Sequence, residues 1–317
     1  MLLLLTLGLE YTPDELTEGA RASWRAGLLD VALNALPGVV AGLLLGWSAE
    51  AILLLGGVTY ISSSGVIAKV LSDLGRLGNR ETPAVLTVLV LEDLAMAVYL
   101  PCVAVILAGR SVGEGAVSII AALTLVLVVL MAAMRMGRHL TRILHARTDE
   151  ALLLGVLGST LLVAGVAQEL DVSAAVGAFL VGIALSGPLQ ARAAELVTPL
   201  RDLFAAVFFV LFGFSIDLGS LPSVLLPAIA LAVVTALTKI ATGWYAARGL
   251  GVGRRARMRA GTALVARGEF SIVIAGLALG AGLEPELGAL AGVYVLLLAI
   301  AGPILTRFAD HLVRSEV

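Results

Sequence analysis

Charge is scarce in this sequence: 14% of its 317 residues are Asp, Glu, Lys or Arg, against about 25% in soluble domains. Hydrophobic residues make up 60%, and the mean hydropathy is +1.04. This composition indicates an integral membrane protein. Its apolar segments have the length of a membrane-crossing helix, about 20 residues, rather than of a β-barrel strand. The predicted fold is therefore all-α and polytopic.

Cysteine and histidine are also rare. Cys102 is the only cysteine, which excludes an internal disulfide framework and a cysteine-rich metal site. The three histidines lie in polar connectors. The sequence has no H-E-x-x-H, P-loop or dinucleotide-binding motif. We expect no resident cofactor and no nucleic-acid partner, and we expect the lipid bilayer to surround the chain.

Eleven apolar segments are predicted to be helical, with Gly, Pro and charged residues in the connectors. They are 1–9 (partial) and the ten full spans 27–47, 50–72, 83–108, 113–135, 150–170, 172–186, 199–217, 222–248, 258–281 and 286–308. Segment 1–9 is too short to span and lacks the basic start of a signal peptide. We therefore expect an N-terminally truncated piece of a longer protein.

Basic residues are distributed unevenly between alternate connectors. With these spans, 18 of the 21 Lys and Arg residues fall on one side. The other three are Arg110 on the opposite side and Lys239 and Arg267 within spans. Cytoplasmic connectors of membrane proteins are enriched in Lys and Arg. The distribution supports the number of spans and predicts a cytoplasmic C-terminus at the cell inner (plasma) membrane.

The two halves of the chain resemble each other. The stretch "LLLLTLGLEYTPDEL" at 2–16 is similar to "FFVLFGFSIDLGSL" at 208–221, and a full span follows each. Next comes a span interrupted by polar residues, around 59–71 in the first half and 264–277 in the second. The connector charges give the halves opposite topology. Inverted repeats with a broken helix in each half are typical of secondary transporters, with the site where the breaks meet.

Ionisable residues inside spans usually face a cavity or a partner and mark ion or proton pathways. We assign five to the spans: Glu92, Asp93, Lys239, Arg267 and Glu269. Adjacent helical residues point about 100° apart, so Glu92 and Asp93 face different neighbours. One can meet a buried cation, for which Lys239 is the candidate, while the other faces a hydrated cavity. The alternative is a purely structural network of these three residues.

Polar residues at the two interruptions complete the candidate site. Four hydroxyl-bearing residues precede Gly65: Thr59, Ser62, Ser63 and Ser64. Hydroxyls and freed carbonyls around an unwound turn are suitable ligands for an alkali cation; the alternative is a serine-rich helix that packs closely. At the second interruption, Arg267, Gly268 and Glu269 are expected to support the break without binding the ion directly.

Together these stretches resemble the monovalent cation:proton antiporter-2 superfamily, which includes the Kef-type potassium/proton exchangers. The matching stretches are "LLLLTLGLEYTPDEL", "SSSGVIAKVL", "LEDLAM", "VGAFLVGIALSG", "FFVLFGFSIDL", the lysine of "LTKIATG" and "ARGEFSIVIAG". The resemblance implies a core domain with two crossed broken helices, a separate dimerisation domain and a homodimer. We expect repeat 1 at about 2–108, linking and dimer-domain helices at about 113–186, and repeat 2 at about 199–309.

The resemblance also implies that Asp93 is the essential carboxylate, which binds the cation and the proton in turn. Glu92 holds the preceding position, where Kef-type exchangers usually carry glutamine. Electrogenic sodium/proton relatives carry there an acid that pairs with a lysine equivalent to Lys239. The implied function is K⁺ or Na⁺/H⁺ antiport by a secondary transporter, not an enzyme. No nucleotide-binding regulatory domain follows Val317 in this sequence. Three expectations stay open: the domain is deleted, it is a separate regulatory subunit, or it never existed.

Two other functions are alternatives for this sequence. A cation channel or channel-like uniporter would use the same scaffold, but a titratable acid between inverted broken helices favours a carrier. An intramembrane aspartyl protease needs two acids on separate helices. Among the residues assigned to spans, Asp93 is the only aspartate, and Glu92 shares its helix.

Overall fold

The computed structural model describes residues 1–10, 13–107, 148–169, 174–185, 188–215, 219 and 221–313. These residues form helices joined by short turns, with no strand among them. The α-helices are α1 (Leu2–Glu10), α2 (Pro13–Leu44), α3 (Ala49–Tyr60), α4 (Ser64–Asp73), α5 (Thr82–Leu107), α6 (Asp149–Glu169), α7 (Ala174–Ala184), α8 (Pro188–Ser215), α9 (Leu221–Arg248), α10 (Arg254–Ala263), α11 (Glu269–Gly280) and α12 (Pro285–Phe308). The predicted all-α fold is confirmed.

The predicted helical segments correspond closely to these helices. Both predicted interruptions are real breaks, because 61–63 separates α3 from α4 and 264–268 separates α10 from α11. Three starts differ by several residues: α2 begins at Pro13 rather than at residue 27, α8 at Pro188 rather than at 199, and α10 at Arg254 rather than at 258. The early turns of α2 and α10 are polar. Those of α8 mix polar residues with buried apolar ones, so none of the three extends a continuous apolar run. The predicted segment 113–135 lies outside the described residues.

Six stretches of the described chain are long and apolar enough to cross a membrane: Arg25–Leu44, Ala49–Asp73, Thr82–Ala104, Asp149–Val166, Pro222–Arg248 and Pro285–His311. Large apolar side chains point outward from the helices, including Leu44 at 83% and Leu226 at 76% exposure. In water such surfaces would be costly, whereas lipid tails are as apolar as leucine. The exposed apolar side chains therefore agree with a lipid-facing surface.

The chain divides into two compact units, Met1–Glu18 with Asp93–Phe208 and Gly19–Glu92 with Phe209–Val317. In the first unit, α7 packs against α1 and α6. A Cβ added to Gly182 would lie 2.5 Å from the carbonyl oxygen of Leu5. Helices α7 and α1 therefore touch through their backbones, as small residues permit. The predicted boundaries of the two repeats and the dimer-domain helices stay a prediction.

In the second unit, α9 packs against α10 and α12, and α11 packs against α3 and α12. Two glycines bring α9 and α10 together. A Cβ at Gly243 would lie 2.6 Å from Cα of Gly261, and a Cβ at Gly261 would lie 2.5 Å from the Ile240 carbonyl oxygen. This close approach positions the first half of the second broken helix against the helix that carries Lys239.

A polar contact joins the starts of α3 and α12 in the second unit. Ser48 donates from its N–H to Glu284 Oε1 at 2.7 Å and from its hydroxyl to Oε2 at 3.2 Å. Partial burial raises the pKa of Glu284, but these hydrogen bonds, with one from its own N–H, outweigh burial and lower the pKa from the ordinary value of 4.5. The ionised carboxylate therefore stabilises the fold.

We expect Gly243→Ala to destabilise the second unit, because the new methyl group would overlap the backbone of α10. Overpacking a core costs about 1–3 kcal/mol, to be measured as a lower apparent melting temperature of the purified protein. Gly158→Ala is the matched control, since a Cβ at Gly158 meets nothing within 4 Å. Equal losses in the two variants would contradict the close contact between α9 and α10.

The contribution of Glu284 to stability should depend on pH. Because its pKa is lowered on folding, the stabilisation is complete above the ordinary pKa of 4.5 and is lost as the pH falls through the lowered value. Glu284→Gln should therefore lower the melting temperature at pH 6 and converge with the parent protein in strong acid. A constant difference across this range would exclude the ionised carboxylate as the cause.

Candidate functional site

The two helix breaks meet within the second unit. The N–H of Ser63, in the first break, donates to the carbonyl oxygen of Ala266, in the second break, at 2.9 Å. Helix α3 packs against α11, and α4 packs against α10. Each first half thus lies beside the second half of the other, so the two broken helices cross at their breaks.

Arg267 satisfies the carbonyl groups that the breaks leave free. Its side chain is fully buried. It donates to the carbonyl oxygen of Thr59, at the end of α3, at 3.0 Å and to that of Leu264, just after α10, at 3.2 Å. Its Nε donates to the Tyr294 hydroxyl at 2.9 Å. The last carbonyls of a helix carry partial negative charge, so one guanidinium stabilises two half-helix ends.

Acidic and hydroxyl groups lie at the starts of the second halves. Ser63 is the N-cap of α4, and its hydroxyl accepts from the N–H of Val66 at 3.3 Å. Glu92 accepts from both the N–H and the hydroxyl of Ser62. Glu269, the first residue of α11, accepts from the Ser63 hydroxyl at 3.4 Å. Negative charge at these positions complements the free N–H groups of helix N-termini.

Gly268 is required by the closeness of the two breaks. A Cβ at this position would lie 2.4 Å from Oγ of Ser63, well inside contact distance. The other glycine at the breaks is less crowded, since a Cβ at Gly65 would lie 3.8 Å from Oε1 of Glu269. Gly268, the glycine of "ARGEF", is therefore needed for the two breaks to approach each other this closely.

The predicted hydroxyl ligands are at the first break, and their hydrogen bonds are largely internal. Thr59 donates to the Gly56 carbonyl oxygen at 3.1 Å, and Ser62 contacts the Leu264 carbonyl oxygen at 3.0 Å. Ser64 is half-buried as the first residue of α4. These bonds support the ends of the half-helices, and a direct part in ion binding stays a prediction.

Lys239 is fully buried and contacts two carboxylates. Its Nζ lies 2.7 Å from Glu92 Oε1 and 2.8 Å from Asp30 Oδ1, and it stands 5.3 Å from the ring centre of Tyr60. Asp30 lies on α2, Glu92 on α5 and Lys239 on α9. The three charges come from distant parts of the sequence and meet in the interior of one unit.

Asp30 is a residue that the sequence analysis missed. It lies within the predicted span 27–47, so the assignment of five intramembrane ionisable residues, with Asp93 as the only aspartate, is wrong. A signal was available, because Asp30 and Asn34 are four residues apart in "LLDVALNALP" and such residues share one helix face.

Asp93 directly follows Glu92 on α5. The boundary between the two compact units falls between these residues, so Asp93 belongs to the first unit. Its side chain is buried, at 2% exposure. It points about 100° away from Glu92 around the helix axis. Its predicted role as the carboxylate that binds cation and proton stays a prediction.

Two crossed broken helices with buried, mutually compensated charges define a secondary transporter of the sodium/proton antiporter fold. The chain belongs to the sodium/hydrogen exchanger family: the family described as "Sodium/hydrogen exchanger, transmembrane" matches residues 1–310. The protein is therefore a multi-pass membrane antiporter for cations and protons. The predicted resemblance to the monovalent cation:proton antiporter-2 superfamily is confirmed.

Individual relatives agree with this assignment. The chain is 35% identical over 317 residues to the K(+)/H(+) antiporter subunit KhtU of Bacillus subtilis, covering 99% of this chain and 78% of that protein. It is 33% identical over 320 residues to the ammonium/H(+) antiporter subunit AmhT of Alkalihalophilus pseudofirmus, covering 98% and 80%. The solved sodium proton antiporter MjNhaP1 from Methanocaldococcus jannaschii has a TM-score of 0.73 at 17% identity, covering 98% and 82%. That structure supports the fold alone.

Arg267 should be intolerant of substitution. Arg267→Met leaves buried carbonyl groups of both breaks unsatisfied, each at about 1–3 kcal/mol, so we expect a severe loss of folded protein. Arg267→Lys keeps the charge but lacks the planar fork, and should be intermediate. The assay is the monodisperse fraction and melting temperature in detergent. Arg307→Lys, at an exposed position of α12, is the control; an Arg267→Met protein as stable as this control would contradict the assigned role.

Proposed function

We propose that this antiporter exchanges K⁺ or Na⁺ for protons by alternating access, with Asp93 binding the cation and the proton in turn. The observation that carries the proposal is the contact of Glu92 with Ser62 at the first break. Asp93 follows Glu92, and consecutive residues rise by about 1.5 Å along a helix. The contact therefore supports a position of the Asp93 backbone at the depth of the break.

Competition at one carboxylate is sufficient to couple the two fluxes. A bound proton or a bound monovalent cation neutralises Asp93, and the neutral site can cross the membrane interior. An empty site keeps its negative charge, which costs about 2.5–3.5 kcal/mol near the bilayer centre even on lenient scales. The empty carrier therefore crosses rarely, and each crossing carries one of the two ions.

Ser62 and Ser63 are two of the candidate hydroxyl ligands for the cation at the first break. Their hydrogen bonds hold the half-helix ends at the crossing, and hydroxyl groups beside an unwound turn are suitable ligands for an alkali cation. Glu92 belongs to the same arrangement, because it joins the break to Lys239.

Potassium is the first cation to test. The relative at 35% identity is named a K(+)/H(+) antiporter subunit, and the relative at 33% identity is named an ammonium/H(+) antiporter subunit. K⁺ and NH₄⁺ are monovalent cations, which a single carboxylate neutralises as a proton does. Na⁺ is the alternative cation.

The proposal extends to the orientation and the assembly of the antiporter. We propose a homodimer in the cell inner membrane with a cytoplasmic C-terminus. The orientation is supported by the basic residues around the start of α10, namely Arg248, Arg254, Arg255, Arg257 and Arg259. Both relatives are named as subunits, which supports a separate regulatory subunit for this chain.

Asp93→Asn should abolish exchange. In proteoliposomes with an internal pH dye, an imposed K⁺, Na⁺ or NH₄⁺ gradient should change the internal pH for the parent protein and not for the variant. Asp73→Asn is the matched control, since Asp73 is exposed and pairs with Lys69 on the same helix. Retained cation-driven pH change in a folded Asp93→Asn protein would overturn the proposal, and current without proton movement would indicate a channel.

A further inference from the structure

A buried polar cluster lies on α2 and α9, and its α2 residues have no part in the proposed exchange. It consists of Asp30 and Asn34 on α2 and Thr238, Lys239 and Thr242 on α9. Asp30, Asn34, Lys239 and Thr242 are each 0% exposed. So much polar surface inside one unit of a membrane protein is expensive unless it is fully paired.

The charges in this cluster exceed what one lysine needs. The side chains of Lys239, Asp30 and Glu92 are 0–1% exposed, and both acids contact the same Nζ, at 2.8 and 2.7 Å. One carboxylate would neutralise one ammonium. The presence of two carboxylates indicates that Asp30 and Glu92 have different roles.

Asp30 is held toward Lys239 from both helices. Its Oδ1 accepts from Asn34 Nδ2 at 2.8 Å as well as from the lysine. The same amide donates to Thr242 at 3.1 Å, and its oxygen accepts from Thr238 at 2.7 Å. These hydroxyls flank Lys239 on α9, so the amide of Asn34 clamps the carboxylate beside the ammonium.

The second carboxylate oxygen of Asp30 shows that its charge depends on the contacts made by Oδ1. Its Oδ2 is buried and has no hydrogen-bond partner within the described part of the chain. Compensation of the Asp30 charge therefore comes from Lys239 and Asn34. Glu92, by contrast, has further partners in the N–H and hydroxyl of Ser62 at the helix break.

We propose that Asp30 is the standing counter-ion of Lys239, a positioning residue that holds the lysine in place independently of Glu92. Glu92 is then not required to neutralise the lysine. Its carboxylate instead accepts the hydrogen bonds of Ser62 at the helix break. The melting temperatures that test this proposal do not depend on Asp93 or on transport. A failure of this proposal can therefore be distinguished from a failure of the proposed exchange.

The test is a set of isosteric charge removals: Asp30→Asn, Glu92→Gln, the double variant, and the triple variant with Lys239→Met. Each single variant leaves the lysine one acid, so we expect losses of only a few degrees in melting temperature. The double variant leaves the buried Lys239 cation without a carboxylate partner. Its melting temperature should fall by at least 10 °C more than the sum of the single losses. The triple variant removes that cation and should recover at least half of the loss.

Two further variants separate charge from packing. Asp30→Glu in the Glu92→Gln background keeps a carboxylate and should be closer in stability to Glu92→Gln alone than to the double variant. Thr306→Val in the same background is the matched control, because the buried Thr306 hydroxyl contacts the carbonyl oxygens of Thr262 and Gly302 and, in the described part of the chain, no charged group. Its effect should be additive. Additive losses for Asp30→Asn, or no recovery in the triple variant, would overturn the proposal. If the double variant does not express, restored expression of the triple variant supports the proposal, and a triple variant that also fails to express contradicts it.

Transport kinetics give a readout that packing alone would not move. A positioning residue should not contact the ion, so Asp30→Asn should lower the maximal exchange rate about tenfold or more while the cation KM stays within about threefold. A KM raised tenfold at an unchanged maximal rate would make Asp30 an ion ligand and overturn the proposal. Unchanged kinetics together with additive stability would reduce Asp30 to a packing residue, which also overturns it.

Discussion

A helix that breaks inside a membrane leaves backbone N–H and C=O groups without partners, and the hydrocarbon offers no water to replace them. Each such group costs several kcal/mol, so a break persists only where other groups satisfy it. In this antiporter the two breaks satisfy each other, through the Ser63–Ala266 backbone bond, and through Arg267, which donates to carbonyls at the ends of both first halves. The rest of the second unit is arranged so that these breaks can meet.

Small residues make that meeting geometrically possible. Gly268 admits the Ser63 hydroxyl at a distance that a Cβ would block, and Gly243 and Gly261 bring α9 against α10 at backbone contact. Close approach in turn places Lys239 near the first break. Glu92 connects the two systems, because one of its carboxylate oxygens contacts both Ser62 and Lys239. The charge network and the helix breaks are therefore one structure.

The sequence predicted much of this arrangement, and its omissions have physical reasons. Within the described residues, hydropathy located the helices and both breaks, since lipid requires long apolar helices and tolerates polar residues mainly where they are functional. It missed the early starts of α2 and α8, because charged and polar residues in these turns interrupt the continuous apolar run by which a span is recognised. It also missed Asp30, whose partner Lys239 lies 209 residues away.

The residues that the sequence singled out at the breaks have contacts that no pattern specified. Ser62, Ser63 and Thr59 were recognised as polar groups beside an unwound turn, yet the same chemistry suits an ion ligand and a helix cap. Arg267 was expected to support its own break, and it also reaches the end of α3. By itself, the sequence determined the class of protein, the spans and the identity of most buried charges, because lipid solvation acts on local composition. Which charge faces which partner was decided by the tertiary structure, because pairing depends on distances between helices that are far apart in the chain.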